Sequence, residues 1–240
     1  SDMLYNKPIA GSMGYTYIPM NVGSMTNSGF ELDLSYQIFN RKNFSWDVNF
    51  NATFVKNKIN ELHPDLKGQL IDGSNIYEEG ESMYRMYLVK YAGVDEKTGE
   101  ALYWAKDKDG KEYATANYSL AQTNKAGTDN LMPKVYGGFG TSIEAYGFDT
   151  SIQLSYQLGG QIYDSGYRFM MAGKGEGQNW HKDIYNAWTP ANTKTDVPRL
   201  NAQDSFTNAL SDRWLISSNY LSINNITVGY TLPSNLVKKM

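Results

Sequence analysis

The chain has no cysteine among its 240 residues, which excludes disulfide bonds and thiol chemistry. It has no run of about eighteen apolar residues, so no segment could cross a membrane as a helix. No long stretch repeats apolar residues with the spacing of an amphipathic helix. The net charge is only −3 and the Lys and Arg residues are scattered, so no basic stripe indicates nucleic-acid binding. With 19 Tyr, 9 Phe and 5 Trp, the composition favours β-structure.

Catalytic and metal-binding patterns are also missing. His63 and His181 lie far apart, and neither has a metal-ligand spacing such as H-E-x-x-H, so we interpret both as surface histidines. The glycine-rich run 137–140 lacks the Lys-Ser/Thr of a phosphate-binding loop, and close strand packing explains it better. The segment 107–112 resembles a calcium loop, but it does not meet the EF-hand spacing, and Asp-Gly is a routine turn. The sequence therefore predicts no enzyme, cofactor or metal, with calcium as the minor alternative.

The strongest pattern is an alternation of apolar and polar residues from Phe30 to Ile38 and from Phe44 to Phe54. Strand side chains point to opposite faces with period two, so this pattern predicts a hairpin with one apolar and one polar face. At ~3.3 Å per residue and a tilt near 45°, the second run spans about 26 Å, the height of a membrane barrel's apolar band. We expect the apolar face to meet lipid. The residues expected to face the lumen are Glu31, Asp33, Asp47, Asn49 and Asn51.

Further strand patterns follow along the chain. They cover residues 83–94, 101–106, 135–145, 148–158 and 220–232. The apolar parity flips inside the last segment, so Asn224 and Asn225 are predicted to form a bulge. Tight turns near residues 40, 97 and 146 alternate with long loops at about 56–83, 107–132 and 159–219. Outer-membrane barrels separate short periplasmic turns from long extracellular loops in this way. The predicted fold is therefore an all-β, antiparallel, up-and-down transmembrane barrel.

Six segments carry a resemblance to a known family. They are Asn21–Leu34 (N-x-G-x-x-x-N-x-G-x-E-L), Tyr91–Asp95 with Thr98-Gly99, Pro133–Phe139, Asn186–Asn192, Thr195–Arg199 and Tyr220–Pro233. In this order they resemble the C-terminal half of the barrel in the SusC/RagA family of TonB-dependent outer-membrane transporters. The resemblance covers nearly the whole chain.

The resemblance implies a 22-stranded barrel in the outer membrane of a Gram-negative bacterium. Such a barrel is plugged by an N-terminal domain, capped by a SusD-like surface lipoprotein, and imports glycans or peptides with energy from TonB. Residues 1–240 would then be a partial barrel domain of about seven or eight strands, without the plug. Because residues 1–10 lack the charged start and apolar core of a signal peptide, we expect an internal or mature part of a longer protein. The family would continue beyond residues 237–240.

Aromatic residues of the long loop 159–219 are the candidate ligand-binding residues. They are Tyr163, Tyr167, Trp180, Tyr185 and Trp188. Flat aromatic faces beside Asp, Asn and Gln suit an oligosaccharide, because the rings stack on apolar C–H faces while the polar groups bond hydroxyls. The alternative is that these rings pack the loop onto itself or onto a capping partner. For Trp188 we favour packing, because its Trp-Thr-Pro setting resembles a structural corner of the family.

The sequence bears on two other classes of function besides an importer. A secreted β-sandwich module that binds carbohydrate through loop aromatics is the alternative, and it requires a second sheet over the apolar face. An esterase or glycosidase would need a nucleophile or a pair of carboxylates that the sequence does not offer.

Overall fold

The structure is a computed structural model that describes residues 2–172, 177, 179–201 and 203–233. Within these residues the strands are β1 (Asp2–Pro8), β2 (Tyr17–Arg41), β3 (Phe44–Leu62), β4 (Gln69–Asp72), β5 (Asn75–Glu78), β6 (Tyr87–Leu88), β7 (Tyr91–Val94), β8 (Ala101–Lys106), β9 (Glu112–Thr115), β10 (Ala126–Gly127), β11 (Val135–Ala145), β12 (Phe148–Leu158), β13 (Gln161–Tyr163), β14 (Leu215–Ser217) and β15 (Tyr220–Tyr230). The helices are α1 (Tyr118–Ala121) and α2 (Ser165–Met170), with 3-10 turns at Gly11–Met13, Pro64–Leu66, Gln122–Asn124, Lys182–Asn186 and Asp212–Trp214. None of the helices described is long and apolar enough to cross a membrane.

Six strands form one antiparallel sheet, the main sheet, in the order β1-β2-β3-β11-β12-β15. Two tight turns, at residues 42–43 and 146–147, join strands at one end of this sheet. Tyr146 and Gly147 both have positive φ, at 52° and 95°, as a type I′ hairpin turn requires. At the other end, residues 63–134 (the first insertion) and 159–219 (the second insertion) each return the chain to the neighbouring strand. This confirms the predicted antiparallel up-and-down order.

The register of the main sheet sorts its residues into two faces. One row across five strands is wholly apolar and joins Leu34, Phe50, Phe139, Leu154 and Ile223. The adjacent row points to the opposite face and is polar or glycine: Ser35, Asn49, Gly140, Gln153 and Asn225. The rest of the alternating pattern continues these rows, so the sheet has an apolar face and a polar face over its central height.

The apolar face is uncovered within the described part of the chain. Phe30 is 61% exposed, Leu34 54%, Leu221 73% and Val228 68%. A soluble sheet buries its apolar face against another layer, whereas no described residue covers this face to that extent.

Two bulges modify the predicted alternation. The bulge predicted at Asn224 is confirmed, because Gln153 pairs with Asn225 and Leu154 with Ile223. A second bulge was not predicted. Gln37 pairs with Asp47 and Phe39 with Trp46, which leaves Ile38 as the extra residue. The parity of β2 therefore changes, and Phe39 stacks on the apolar side against Trp46, with ring centroids 6.1 Å apart.

The predicted loop boundaries are wrong in two places. Strand β3 continues to Leu62, so the loop expected from residue 56 begins after residue 62. The hairpin expected in the barrel from residues 83–94 and 101–106 lies in the first insertion, where β7, β8 and β9 form a separate sheet. The main sheet of the described chain therefore has six strands instead of seven or eight. The loops predicted at 56–83 and 107–132 belong to one insertion.

The described residues form three buried clusters, all at the insertion end of the molecule. The first holds Val89, Ala101, Tyr103, Ala105 and Ala121, in the first insertion. The second holds Met171, Ala187, Val197 and Trp214, in the second insertion. The third holds Met3, Val22, Ile59 and Leu62. It joins β1, β2 and the insertion end of β3 to the β4–β5 hairpin. The core thus lies beside the main sheet's end and not against its apolar face.

Candidate functional site

The two insertions pack against each other and form one body, the cap. The Tyr103 hydroxyl donates to the carbonyl of Phe206 at 2.6 Å, and the Tyr118 hydroxyl donates to the carbonyl of Leu210 at 2.6 Å. Both tyrosines belong to the first insertion and both acceptors to the second. Burial raises the pKa of Tyr103 and of Tyr118, so both hydroxyls stay protonated donors across the neutral range.

A carboxylate strengthens the same contact. The Asp212 backbone N–H donates to the carbonyl of Val89 at 3.1 Å, and the Asp212 carboxylate accepts from the backbone N–H of Tyr91 at 2.7 Å. Burial raises the pKa of the Asp212 carboxyl, which the Tyr91 N–H only partly opposes. The Arg213 guanidinium lies over the rings of Tyr91 and Trp214, 5.1 and 4.5 Å from their centroids. The cap is therefore tied together by hydrogen bonds and cation–π contacts from both insertions.

Arg199 joins the Asp95–Gly99 turn to the second insertion. Its side chain donates to Asp204 through Nε at 2.8 Å and a second nitrogen at 3.0 Å. It also donates to the Thr98 carbonyl at 2.9 Å and to Glu100 at 3.3 Å. Such a planar fork can satisfy several oxygens at once, so Arg199 fixes this turn against the second insertion.

Trp188 packs on the same turn. Its ring lies against Gly99, where an added Cβ would come within 2.5 Å of the indole carbons. Its N–H donates to the carbonyl of Glu96 at 3.1 Å. Gly99 has a φ of 75°, so both the backbone conformation and the ring's approach require glycine. This geometry fits the packing interpretation of Trp188.

Tyr163 and Tyr167 lie in the interior of the second insertion. Both pack on the cluster around Met171 and Trp214. The Tyr167 hydroxyl donates to Asp183 at 2.9 Å, and its ring meets Trp214 edge-on at 5.9 Å. Burial, followed by the bond to Asp183, raises the pKa of Tyr167 to about 12. These two candidates therefore face their own loop in this structure.

The remaining two candidates lie on the surface. Tyr185 is 90% exposed and Trp180 is 38% exposed. Of the glycine-rich run beside Trp180, residues 173–176 lie outside the described residues. The five predicted aromatics thus do not form one surface, and only Tyr185 and Trp180 offer rings to a ligand or partner.

Both histidines have a structural task. The ring nitrogen Nδ1 of His63 accepts from the backbone N–H of Asp65 at 3.3 Å, and that of His181 accepts from Asp183 at 3.2 Å. Each histidine precedes a 3-10 turn and accepts from the backbone N–H of the turn's second residue. The sequence identifies them as unpatterned surface residues but does not reveal this shared role.

The segments that resembled cation and phosphate sites are explained by turns and packing. The Asp107 carboxylate accepts from the backbone N–H groups of Asp109 and Lys111, both at 2.9 Å. Across the described ranges, no three His, Asp or Glu side chains are grouped closely enough to hold a metal ion. In the glycine run, a Cβ on Gly140 would come 2.5 Å from Gln153 Oε1 and 2.6 Å from Asn49 Oδ1. Gly140 thus lets polar side chains from both neighbouring strands lie close over the polar face.

Asn57 attaches the first insertion to the main sheet, and sequence reasoning missed it because it falls in a predicted loop. It is only 3% exposed. Its Nδ2 donates to Asn27 Oδ1 at 2.7 Å, and its Oδ1 accepts from the Met83 backbone N–H at 2.7 Å and from the Ser82 hydroxyl at 3.3 Å. The buried Asn57 amide is thus one of the groups through which β3 holds the first insertion.

Comparison with known proteins gives consistent relatives. The chain is 27% identical to TonB-dependent receptor P3 of Formosa agariphila over 254 aligned positions, which cover 99% of this chain and 25% of that receptor. It is 24% identical to TonB-dependent receptor SusC of Bacteroides thetaiotaomicron over 219 positions, covering 88% of this chain and 21% of SusC. Among solved structures, the RagAB peptide transporter aligns with a TM-score of 0.76 and 29% identity, over 98% of this chain and 26% of that chain. No family model matches.

This chain spans about a quarter of the length of the relatives that it matches. The likenesses confirm the SusC/RagA resemblance that the six sequence segments carry, and with it the antiparallel barrel fold. The relatives are named as receptors and transporters and not as enzymes.

Proposed function

We propose that this chain, which is SusC/RagA-like along its length, is part of a TonB-dependent nutrient importer in the outer membrane of a Gram-negative bacterium. The observation that carries the proposal is the uncovered apolar face of the main sheet, over which Leu34 and Val228 are 54% and 68% exposed. Lipid covers such a face in a barrel, and the polar face then lines the lumen. Asp33, Asn49 and Asn51 lie on that polar face.

Polar atoms on the apolar face support a lipid environment. The Trp46 indole N–H donates to the Thr141 hydroxyl at 2.9 Å, and the Tyr156 hydroxyl donates to the Asn51 carbonyl at 3.0 Å. An unsatisfied polar group in hydrocarbon costs several kcal/mol, so internal bonding of these groups is what lipid exposure requires.

The relatives support a proposal for the partners and the class of substrate. We infer a SusD-like lipoprotein over the cap, TonB as the energy source, and an oligosaccharide or peptide as cargo. The RagAB structures are described as a peptide transporter, and they are similar to this chain over 98% of its length. Tyr185 and Trp180 are the cap rings that we propose contact cargo or the lipoprotein, since both are exposed.

The β-sandwich alternative is not favoured. It requires a second sheet over the apolar face, and within the described chain the other sheets have two or three strands and belong to the insertions. No separate observation supports it.

Cysteine labelling of the full-length protein that contains this chain tests the proposal. The chain has no native cysteine, so single labels at Leu34→Cys and Ser35→Cys report on the two faces without interference from it. In bilayers with brominated acyl chains we expect a fluorophore at position 34 to be quenched and one at position 35 to stay bright. Equal quenching at both positions in folded protein would refute a lipid-facing sheet. Dependence of cargo uptake on TonB, and copurification of a lipoprotein, test the partners.

A further inference from the structure

A groove of about 610 Å³ lies where the apolar face ends, at the insertion end of β2 and β3. Its apolar part is formed by Phe30 and Phe54 with Pro133, and its cationic part by Lys56 and Lys134. Phe30 is 61% exposed and Phe54 45%, so the ring faces are open to a ligand.

The strand register shows that apolar side chains give way to a cationic one between one residue pair and the next on the same face. Phe30 pairs with Phe54 as the last apolar pair on this face. The next pair outward on the same face is Ser28 with Lys56, two residues or about 7 Å further along. The cationic groups therefore lie at the height where a hydrocarbon layer beside Phe54 would give way to headgroups.

The positive charge of the groove is not neutralised from within the described chain. No acidic residue lines the groove. Neither Lys56 nor Lys134 takes part in an ion pair among the described residues, although acidic side chains elsewhere do pair with Arg85, Arg199 and Lys90. The stem of Lys134 is held against Gly159, where an added Cβ would lie 2.8 Å from its Cγ, and its backbone N–H donates to Leu158. The stem of Lys134 is thus packed against Gly159, and neither lysine has an anionic partner among the described residues.

We propose that this groove binds a membrane lipid with a phosphorylated headgroup. The acyl chain covers Phe30 and Phe54, and the phosphate lies between the ammonium groups of Lys56 and Lys134. Basic residues at the edge of an apolar band attract anionic headgroups, while their stems stay along apolar surface. A lipid is favoured over a protein partner because the rings of the groove continue the apolar rows that we assign to acyl chains. The inference rests on the proposed lipid-facing sheet.

Native mass spectrometry of the full-length protein in a maltoside detergent tests the groove, with monophosphorylated lipid A and its dephosphorylated form as probes. The double variant Lys56→Gln/Lys134→Gln should bind the phosphorylated probe about thirtyfold more weakly. The matched control is Lys58→Gln, which removes a lysine from the same strand and face but outside the groove, and it should stay within about twofold of wild type. The dephosphorylated probe should bind all three proteins equally.

Three results would refute the proposal that the groove binds a phosphorylated lipid. The double variant could bind the phosphorylated probe as wild type does, the wild type could fail to distinguish the two probes, or millimolar inorganic phosphate alone could displace the lipid. If the double variant does not fold, the wild type decides: added salt should weaken binding of the phosphorylated probe and not of the other. Lipid quenching at position 34 separates the two proposals. If a label there is quenched but the double variant binds lipid as wild type does, the lipid-facing sheet stands and only the lipid-binding groove is refuted.

Discussion

Leu34→Arg gives the sharpest test of the environment of the main sheet. Leu34 pairs with Phe50, and the apolar run of that strand extends from Phe44 to Phe54. At ~3.3 Å per residue and a tilt near 45°, Phe50 lies about 14 Å from one end of the band and about 9 Å from the other. An arginine near the middle of a barrel's apolar band costs about 2–4 kcal/mol. We therefore expect Leu34→Arg to destabilise the full-length protein in bilayers by about 2–3 kcal/mol.

The neighbouring position supplies the control. Ser35 lies on the polar face opposite Asn49, so Ser35→Arg should change stability by about 0.5 kcal/mol or less. Urea unfolding in lipid vesicles, followed by the fraction of protein with folded gel mobility, measures both variants. In water, a leucine that is 54% exposed could be replaced by arginine at almost no cost. Equal stability of the two variants would therefore contradict the assignment of this face to lipid.

Three further predictions concern the insertions. Arg199→Ala removes the bonds to Thr98, Glu100 and Asp204 and should speed proteolysis at residues 95–100, while Arg199→Lys should restore only part of the protection. Asn57→Ala leaves the partly buried Met83 N–H without its acceptor and should cost about 1 kcal/mol or more, seen as faster hydrogen exchange over residues 80–83. The Tyr167 pKa of about 12 lies above the value near 10 of an unfolded tyrosine, so its contribution to stability is complete below about pH 10 and is lost as pH rises through 12. Tyr167→Phe should remove that part of the alkaline transition, measured by circular dichroism, and an unchanged transition would assign it to other groups.

The features that the sequence predicts correctly depend on residues that are close together in the sequence. Alternation assigns residues to two faces because side-chain direction has period two. The bulge at Asn224 is visible because apolar parity flips around two polar residues. The bulge at Ile38 is not visible, because Ile38 and Phe39 are both apolar and either one fits the pattern. The register shows that Phe39, and not Ile38, pairs with Trp46.

The features that the sequence does not predict depend on contacts between distant segments. Asn57 looks like a loop residue until Ser82 and Met83 are placed against it. Arg199 falls within a segment that carries the family resemblance, but its partners Thr98 and Glu100 lie on the other insertion. Burial of the candidate aromatics is equally non-local, since Tyr167 is covered by Trp214. Local sequence patterns therefore predict the strands of the main sheet but not the contacts that form the cap.

Strand length distinguishes the hairpin of residues 83–94 and 101–106, which the alternation predicts in the barrel, from the strands of the main sheet. Strand β8 alternates as the barrel strands do, with Ala101, Tyr103 and Ala105 buried on one side. Alternation shows that a strand has two faces, but not whether lipid or protein covers the apolar one. The six residues of β8, tilted near 45°, would span only about 14 Å, well short of a band about 25 Å tall. Strands β11, β12 and β15 have 11 residues each and reach it. Because a short strand cannot cross the band, β8 must bury its apolar side within the cap, where Tyr103 bonds to the second insertion.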